Sequence, residues 1–177
     1  MRIGIVRHFK VNISMPRSAD SEEFTLLVKK YSEAPVIANQ VDLKNIEWKK
    51  CYASTMSRAI TTAEAIFKGE ILKYDHIREV DVGPIFNTKR KFPVMVWDVL
   101  GRIGWLLNHK SQPEKRRDTR NKVKEFVDMI IKEEEENILV VCHGFLMISL
   151  QRELKRRGFK GKHTTKAENG TLYLYEK

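Results

Sequence analysis

NILVVCHGFLMISLQRELKRRG, residues 137–158, changes its periodicity once, at the histidine. NILVVCH (137–143) is an almost unbroken apolar run of strand length, the pattern of a strand covered on both faces in a parallel sheet. GFLMISLQRELKRRG (144–158) then spaces its apolar residues as a helix does. A buried strand that feeds directly into a helix is the repeating unit of an α/β protein.

Further copies follow the same order. IGIV (3–6) reads as a buried strand and SEEFTLLVKKYSE (21–33) as a helix, with Ser21 as its cap and Phe24, Leu27, Val28 and Tyr31 on one face. KKCYAS (49–54) is a strand followed by the helix SRAITTAEAIFKG (57–69), which turns Ala59, Ala63, Ile66 and Phe67 inward and stops at Gly69. ILKYD (71–75) and IREVDVG (77–83) read as extended. VMVWDVLGRIGWLLNH (94–109) reads as a helix despite Gly101 and Gly104, after interruptions at Pro84 and Pro93. A long helix is expected from Asp118 to Glu135, with Val123, Phe126, Val127, Ile130 and Ile131 as its stripe and the acidic run EEEE (133–136) at its solvated end. TLYLYE (171–176) is the last strand. The alternation implies one α/β domain over residues 1–177, a three-layer αβα sandwich with a mostly parallel central sheet.

The composition, 42% hydrophobic and 32% charged, is that of a globular protein, and the formal net charge of +10 draws anions to its surface. The basic runs TKRK (88–91), KRRDTRNK (115–122) and KRRGFKGK (155–162) read as solvated helix faces and ends rather than a nucleic-acid footprint. ILVVC (138–142) is far short of the ~20 apolar residues of a membrane helix, and Arg7 and His8 interrupt the first apolar run, so a cytoplasmic protein without a membrane association is expected. Cys51 and Cys142 sit in apolar strands and read as structural thiols.

In an open α/β sheet ligands bind off the carboxyl ends of the strands. The strand 3–6 delivers Arg7 and His8 to that edge, the strand 137–143 delivers His143, and Arg58 stands at the start of the helix after strand 49–54, among Ser54, Thr55 and Ser57. Two arginines and two histidines make a pocket for a doubly charged oxyanion, most simply a phosphate. Glu79 and Asp81, two apart in an extended segment, share a side, and one of them can protonate a leaving oxygen. Cys142 and His143 point to opposite faces of their strand and do not form a pair.

The segments IVRHFKV, ASTMSRAITTAEAI, IREVDVG and VVCHG, in this order, resemble the histidine phosphatase superfamily, the branch of cofactor-dependent phosphoglycerate mutase and its phosphatase relatives. The resemblance implies a phosphoglycerate mutase-like fold and a phosphomonoesterase working without cofactor or metal on a small phosphorylated substrate. It implies that His8 takes the phosphoryl group, that Arg7, Arg58, His143 and Gly144 bind it, and that Glu79 is the general acid, with His143 counted among the catalytic residues. The chain departs from the family pattern at Phe9, where glycine is usual, at Val11 and Ser14, and after Gly83, where PIFNTKRK replaces the usual tryptophan-containing run.

Residues 84–112 are expected to fold over the pocket mouth as a specificity segment, with Lys89, Arg90 and Lys91 available to a second anionic group and Trp97 and Trp105 in the core. Asp81 is read as a cap or turn residue. Two other functions stay open at this point, a phosphomutase and an inactive relative that binds a phosphorylated ligand or nucleic acid. The shortness of the chain beside family mutases favours the phosphatase.

Overall fold

The computed structural model describes residues 1–133 and 136–177. From the N-terminus the elements are β1 (Arg2–Arg7), the short strands β2 (Lys10–Val11) and β3 (Ser18–Ala19), α1 (Ser21–Glu33), β4 (Val36–Ile37), β5 (Lys50–Ser54), α2 (Ser57–Ile66) and β6 (Ile71–Tyr74). A 3-10 turn (Asp75–Ile77) leads to β7 (Phe92–Pro93), α3 (Val94–Leu106), α4 (Arg116–Ile131), β8 (Asn137–Cys142), α5 (Gly144–Arg156), β9 (Lys160–Gly161) and β10 (Leu172–Glu176). The central sheet runs β6-β5-β8-β1-β10-β9. β6, β5, β8 and β1 are mutually parallel, and β10 and β9 close one edge antiparallel.

Alternation along the strands divides the core into two layers. Ile3, Ile5, Ile138, Val140 and Cys142 pack against Val123, Phe126, Val127 and Ile130 of α4 and Leu146, Met147, Leu150 and Leu154 of α5. Val6, Cys51, Ala53, Leu139 and Val141 face the other way, onto Ala59 and Ala63 of α2 and the ring of Trp48. Each such side chain contributes about 1.5–3 kcal/mol by leaving water. This is the three-layer sandwich with a mainly parallel sheet that the alternation implies. A third, smaller cluster joins Phe24 of α1 to Trp97 of α3, with Phe86 and Phe92 around the indole. Trp105 is buried too, its Nε1 donating to Thr119 Oγ1 (3.1 Å).

Several local expectations are corrected. The cap of α1 is Asp20, whose carboxylate accepts from the amides of Glu22 and Glu23 while Glu23 reaches back to the Asp20 amide, a reciprocal capping box. Ser21 instead exchanges hydrogen bonds with the backbone of Thr88, tying α1 to the 84–93 segment. α2 stops at Ile66 with Phe67 extended, short of Gly69. α3 ends at Leu106, not His109, and its Gly101 is needed because a Cβ there would meet Val82 Cγ2 at 2.1 Å. α4 starts at Arg116, two residues before Asp118; the far end of the expected helix, at Glu134 and Glu135, lies outside the described residues. Residues 78–83 are not a strand, because they leave the sheet after the 3-10 turn and follow α5 and α3 instead.

Candidate active site

The carboxyl ends of β1, β5 and β8 lie side by side in the sheet, and the chain turns off each of them with a polar residue. Arg7 ends β1 and pairs in register with Cys142 of β8, so His8 and His143, the next residues, leave the sheet together. Their ring centroids are 5.1 Å apart with planes inclined at 55°. Both rings are buried, His8 at 2% exposure and His143 at 0%, and Arg58 joins them from the first turn of α2 at 3%. The sequence-based expectation that these four residues converge holds in the geometry.

The hydrogen bonds fix what each group can do. His8 Nδ1 lies 2.6 Å from the carbonyl of Phe9. A carbonyl only accepts, so Nδ1 carries the proton and a neutral ring keeps its lone pair on Nε2. Neutrality is secured chiefly by burial, which lowers the His8 pKa to about 3; the Phe9 carbonyl works against it, and Arg58 and Arg7 add to the lowering. Burial also holds His143 well below the usual imidazole range, again helped by Arg58. Its Nε2 meets Ser54 Oγ at 2.7 Å, and that hydroxyl accepts from the amide of Met56 at 3.3 Å; in the tautomer whose Nε2 accepts from the hydroxyl, His143 Nδ1 carries the proton.

Arg7 Nε, Arg58 Nε and Nη1, and His143 Nδ1 are buried without a hydrogen-bond partner among the described residues. An unsatisfied buried donor costs about 1–3 kcal/mol, and more when charged. Four of them around two facing imidazoles are a cradle for an anion with several oxygens. Arg7 is anchored by Nη1, which donates to the carbonyl of Ala167 (2.7 Å). Gly144 gives it room: a Cβ there would meet Arg7 Nε at 2.9 Å. Gly144 also borders the cavity beside Arg7. Among the described residues there is no cluster of three or more histidine, cysteine or carboxylate side chains that could hold a metal, and no helix is long and apolar enough to cross a membrane.

Glu79 reaches the same cavity from the irregular segment. Its Oε1 accepts from the amides of Val80 (3.0 Å) and Leu146 (2.9 Å), and its Oε2 from that of Phe145 (3.2 Å). The carboxylate thus sits on the N-terminus of α5, where the amides of the helix's first turn fix its orientation. Asp81 is exposed on the cavity wall and makes no side-chain hydrogen bond among the described residues, so it is neither the cap nor the turn residue expected of it. Cys142 lies in the core layer away from the cavity, its thiol pushed far up by burial. Burial pushes Cys51 up to about 12.

A further set of contacts escaped the sequence reading. Asn169 Nδ2 donates to the carbonyl of His8 (2.7 Å), and the amide of Gly170 to that of Arg7 (2.8 Å). Gly170, at φ +63°, packs so closely on Phe9 that a Cβ would stand 3.1 Å from its ring. Phe9 is buried beneath the site, and its amide donates to Thr62 Oγ1 (2.9 Å). The bulky residue in the usual glycine place is thus absorbed by a glycine some 160 residues away in sequence. The run Glu168-Asn169-Gly170, a turn signal before the last strand, was the one available hint.

Arg7, His8, Arg58, Glu79, Asp81 and Gly144 open on a cavity of about 680 Å³, bounded on its other sides by α1, α3 and the loops at 15–17 and 165–167. The 84–112 segment does wall the cavity, through Pro93, Val94, Met95, Asp98 and Arg102. Lys89, Arg90 and Lys91 do not line it. Lys89 pairs with Glu22 and Lys91 with Glu23, while Arg90 lies over the Phe92 ring, so the expected second anion site is not formed.

The profile of the histidine phosphatase superfamily (branch 1) matches residues 33–176. The match includes Arg58, Glu79 and His143 and begins after Arg7 and His8. No curated protein matches the chain. Among solved structures, phosphoglycerate mutase from Bacillus anthracis str. Sterne aligns with a TM-score of 0.62 at 20% identity, covering 98% of this chain and 86% of that one. Alpha-ribazole phosphatase from Shigella flexneri aligns at 0.56 and 14%, covering 98% and 89%. A phosphoserine phosphatase variant from Entamoeba histolytica, in complex with phosphoserine, aligns at 0.54 and 12%, covering 98% and 89%. At such identities the likeness concerns the fold, which is phosphoglycerate mutase-like. Because the chain covers most of a mutase, its length does not by itself separate mutase from phosphatase.

Proposed function

The chain belongs to the histidine phosphatase superfamily, branch 1, and from that premise we propose that it is a metal-independent phosphomonoesterase that carries the phosphoryl group on His8. The observation behind this reading is the set of four buried unpartnered nitrogens, on Arg7, Arg58 and His143, gathered beside the neutral His8 ring. Phosphoryl transfer spreads charge over three equatorial oxygens. Arg7 Nε, Arg58 Nε and Nη1, and His143 Nδ1 meet those oxygens, with His143 relayed to the Ser54 hydroxyl. Fixed donors in a site shielded from water stabilise the transition state without reorganising, which is where most of the acceleration comes from.

The steps balance on this chain's own groups. His8 Nε2 attacks phosphorus as the P–O ester bond breaks, and the leaving oxygen takes a proton from Glu79, held on the open side of Oε2. An alcohol departs. Water then attacks the phosphohistidine, its proton passes to Glu79, and the N–P bond breaks to release phosphate and restore His8. Glu79 is suited to both halves because the α5 amides fix its orientation while leaving Oε2 a free position.

Hydrolysis of an aryl phosphate tests this. It is expected to proceed unchanged in EDTA and to fall at least about a thousandfold in His8→Ala. Activity in His8→Ala equal to that of the unaltered protein would overturn the reading. Tight phosphate binding without turnover would instead identify a binding relative that has kept the cradle and lost the chemistry.

A further inference from the structure

Beyond the oxyanion cradle the cavity is far larger than a phosphate, and its wall changes character. Phe24, Leu27 and Val28 of α1, Val94 and Met95 of α3, and Ile148 of α5 turn hydrocarbon toward it. Met95 is 74% exposed and Met15, on the neighbouring loop, 49%, so the apolar lining continues to the cavity mouth. Exposed methionines on a concave surface are adaptable apolar contacts.

The charges of this outer part do not favour a second anion. Arg102 is spoken for: its Nη1 donates to the carbonyl of Val80 (2.8 Å), its Nε is 3.7 Å from Asp98, and its guanidinium lies 4.0 Å from the Phe145 ring centroid. Asp81 and Asp98 place carboxylates on the same wall, offsetting the exposed Arg17 and Lys166. The cation run that would have greeted another phosphate or a carboxylate, Lys89 to Lys91, is occupied elsewhere.

We propose that the substrate is a phosphomonoester whose alcohol is an extended or aromatic hydrocarbon with no second anionic group, seated on the α1–α3–α5 wall of the cavity. This rests on the phosphatase reading above. Burial of each added methylene removes apolar surface from water. The wall then acts by holding the ester so that remote binding energy is available to the transition state.

The test is kcat/KM across ethyl, butyl, hexyl and octyl phosphate, each below its aggregation concentration, with 3-phosphoglycerate and phosphoserine alongside. The expected result is a rise of about two- to fourfold per methylene, both acidic esters falling below butyl phosphate, and loss of all turnover in His8→Ala. Met15→Gln/Met95→Gln, which changes two exposed side chains and so leaves folding intact, is expected to lower the octyl-to-ethyl ratio about fivefold. A flat series, an unchanged ratio in the double variant, or a preference for the acidic esters would overturn the inference while the His8-dependent turnover left the phosphatase reading standing. No hydrolysis of any ester would remove both.

Discussion

Two walls of one cavity are built on opposite plans. The strand-end wall, Arg7, His8 and Arg58, with His143 packed against His8, is buried and polar, and each of its groups is positioned by the parallel strands or the helix following one of them. The helix wall of α1 and α3 is apolar, partly exposed, and assembled by contacts of irregular segments, such as the Ser21–Thr88 exchange and the Phe24–Trp97 stack. A sheet determines positions to within the tolerance that phosphoryl transfer requires. Helices packed beside it can change their side chains without disturbing that geometry, so the proposed function and substrate assign the chemistry to one wall and the choice of alcohol to the other.

If that division is right, damage to the strand-end wall must reach every substrate alike. Arg58→Ala removes two of the four unpartnered donors, and kcat/KM is expected to fall about a thousandfold, roughly 4 kcal/mol, by the same factor for ethyl and octyl phosphate. A loss confined to one ester would break the division. Acid acts on the same wall. His8 and His143 are held neutral by burial in the folded protein and titrate near 6.5 when unfolded. The folded state therefore binds fewer protons, and stability, complete above pH 6.5, is lost as the pH falls toward the folded pKa, about 3 for His8. Between pH 6.5 and 5.5 denaturant melts should show a loss of about 2 kcal/mol, and His8→Gln should remove about half of it. A smaller effect is expected from Gly144→Ala. The new methyl meets Arg7 Nε and must push the guanidinium aside, costing about tenfold in kcat/KM while α5, whose first turn accepts alanine readily, keeps its stability. An unaltered rate would mean that Arg7 does not hold the phosphate from where it stands.

The strand-end wall was largely legible in the sequence, because a parallel strand announces itself as a continuous apolar run and the residue that ends it must face the ligand edge. His8, Arg58 and His143 could be placed together on that ground alone. Glu79 could be singled out through the family resemblance, yet its seat could not: the 77–83 segment was expected to be extended, and what positions the carboxylate is a set of amides 66 and 67 residues further along the chain. The same holds for Asn169 and Gly170, whose hold on the Arg7–Phe9 turn crosses the whole chain, and for Gly144, whose purpose is visible only beside Arg7. The lysines at 89 and 91 misled because local charge density does not reveal partners. Glu22 and Glu23, one turn into a distant helix, were already waiting for them.

The claim that joins these parts is that His8 Nε2 is a nucleophile. Acid-labile, alkali-stable phosphate trapped from a radiolabelled aryl phosphate by rapid alkaline quenching, and mapped by mass spectrometry, tests it directly. The label is expected on the peptide carrying His8 and to be missing in His8→Ala. Turnover that continues with no label on His8, or a label that persists when His8 is alanine, would contradict it.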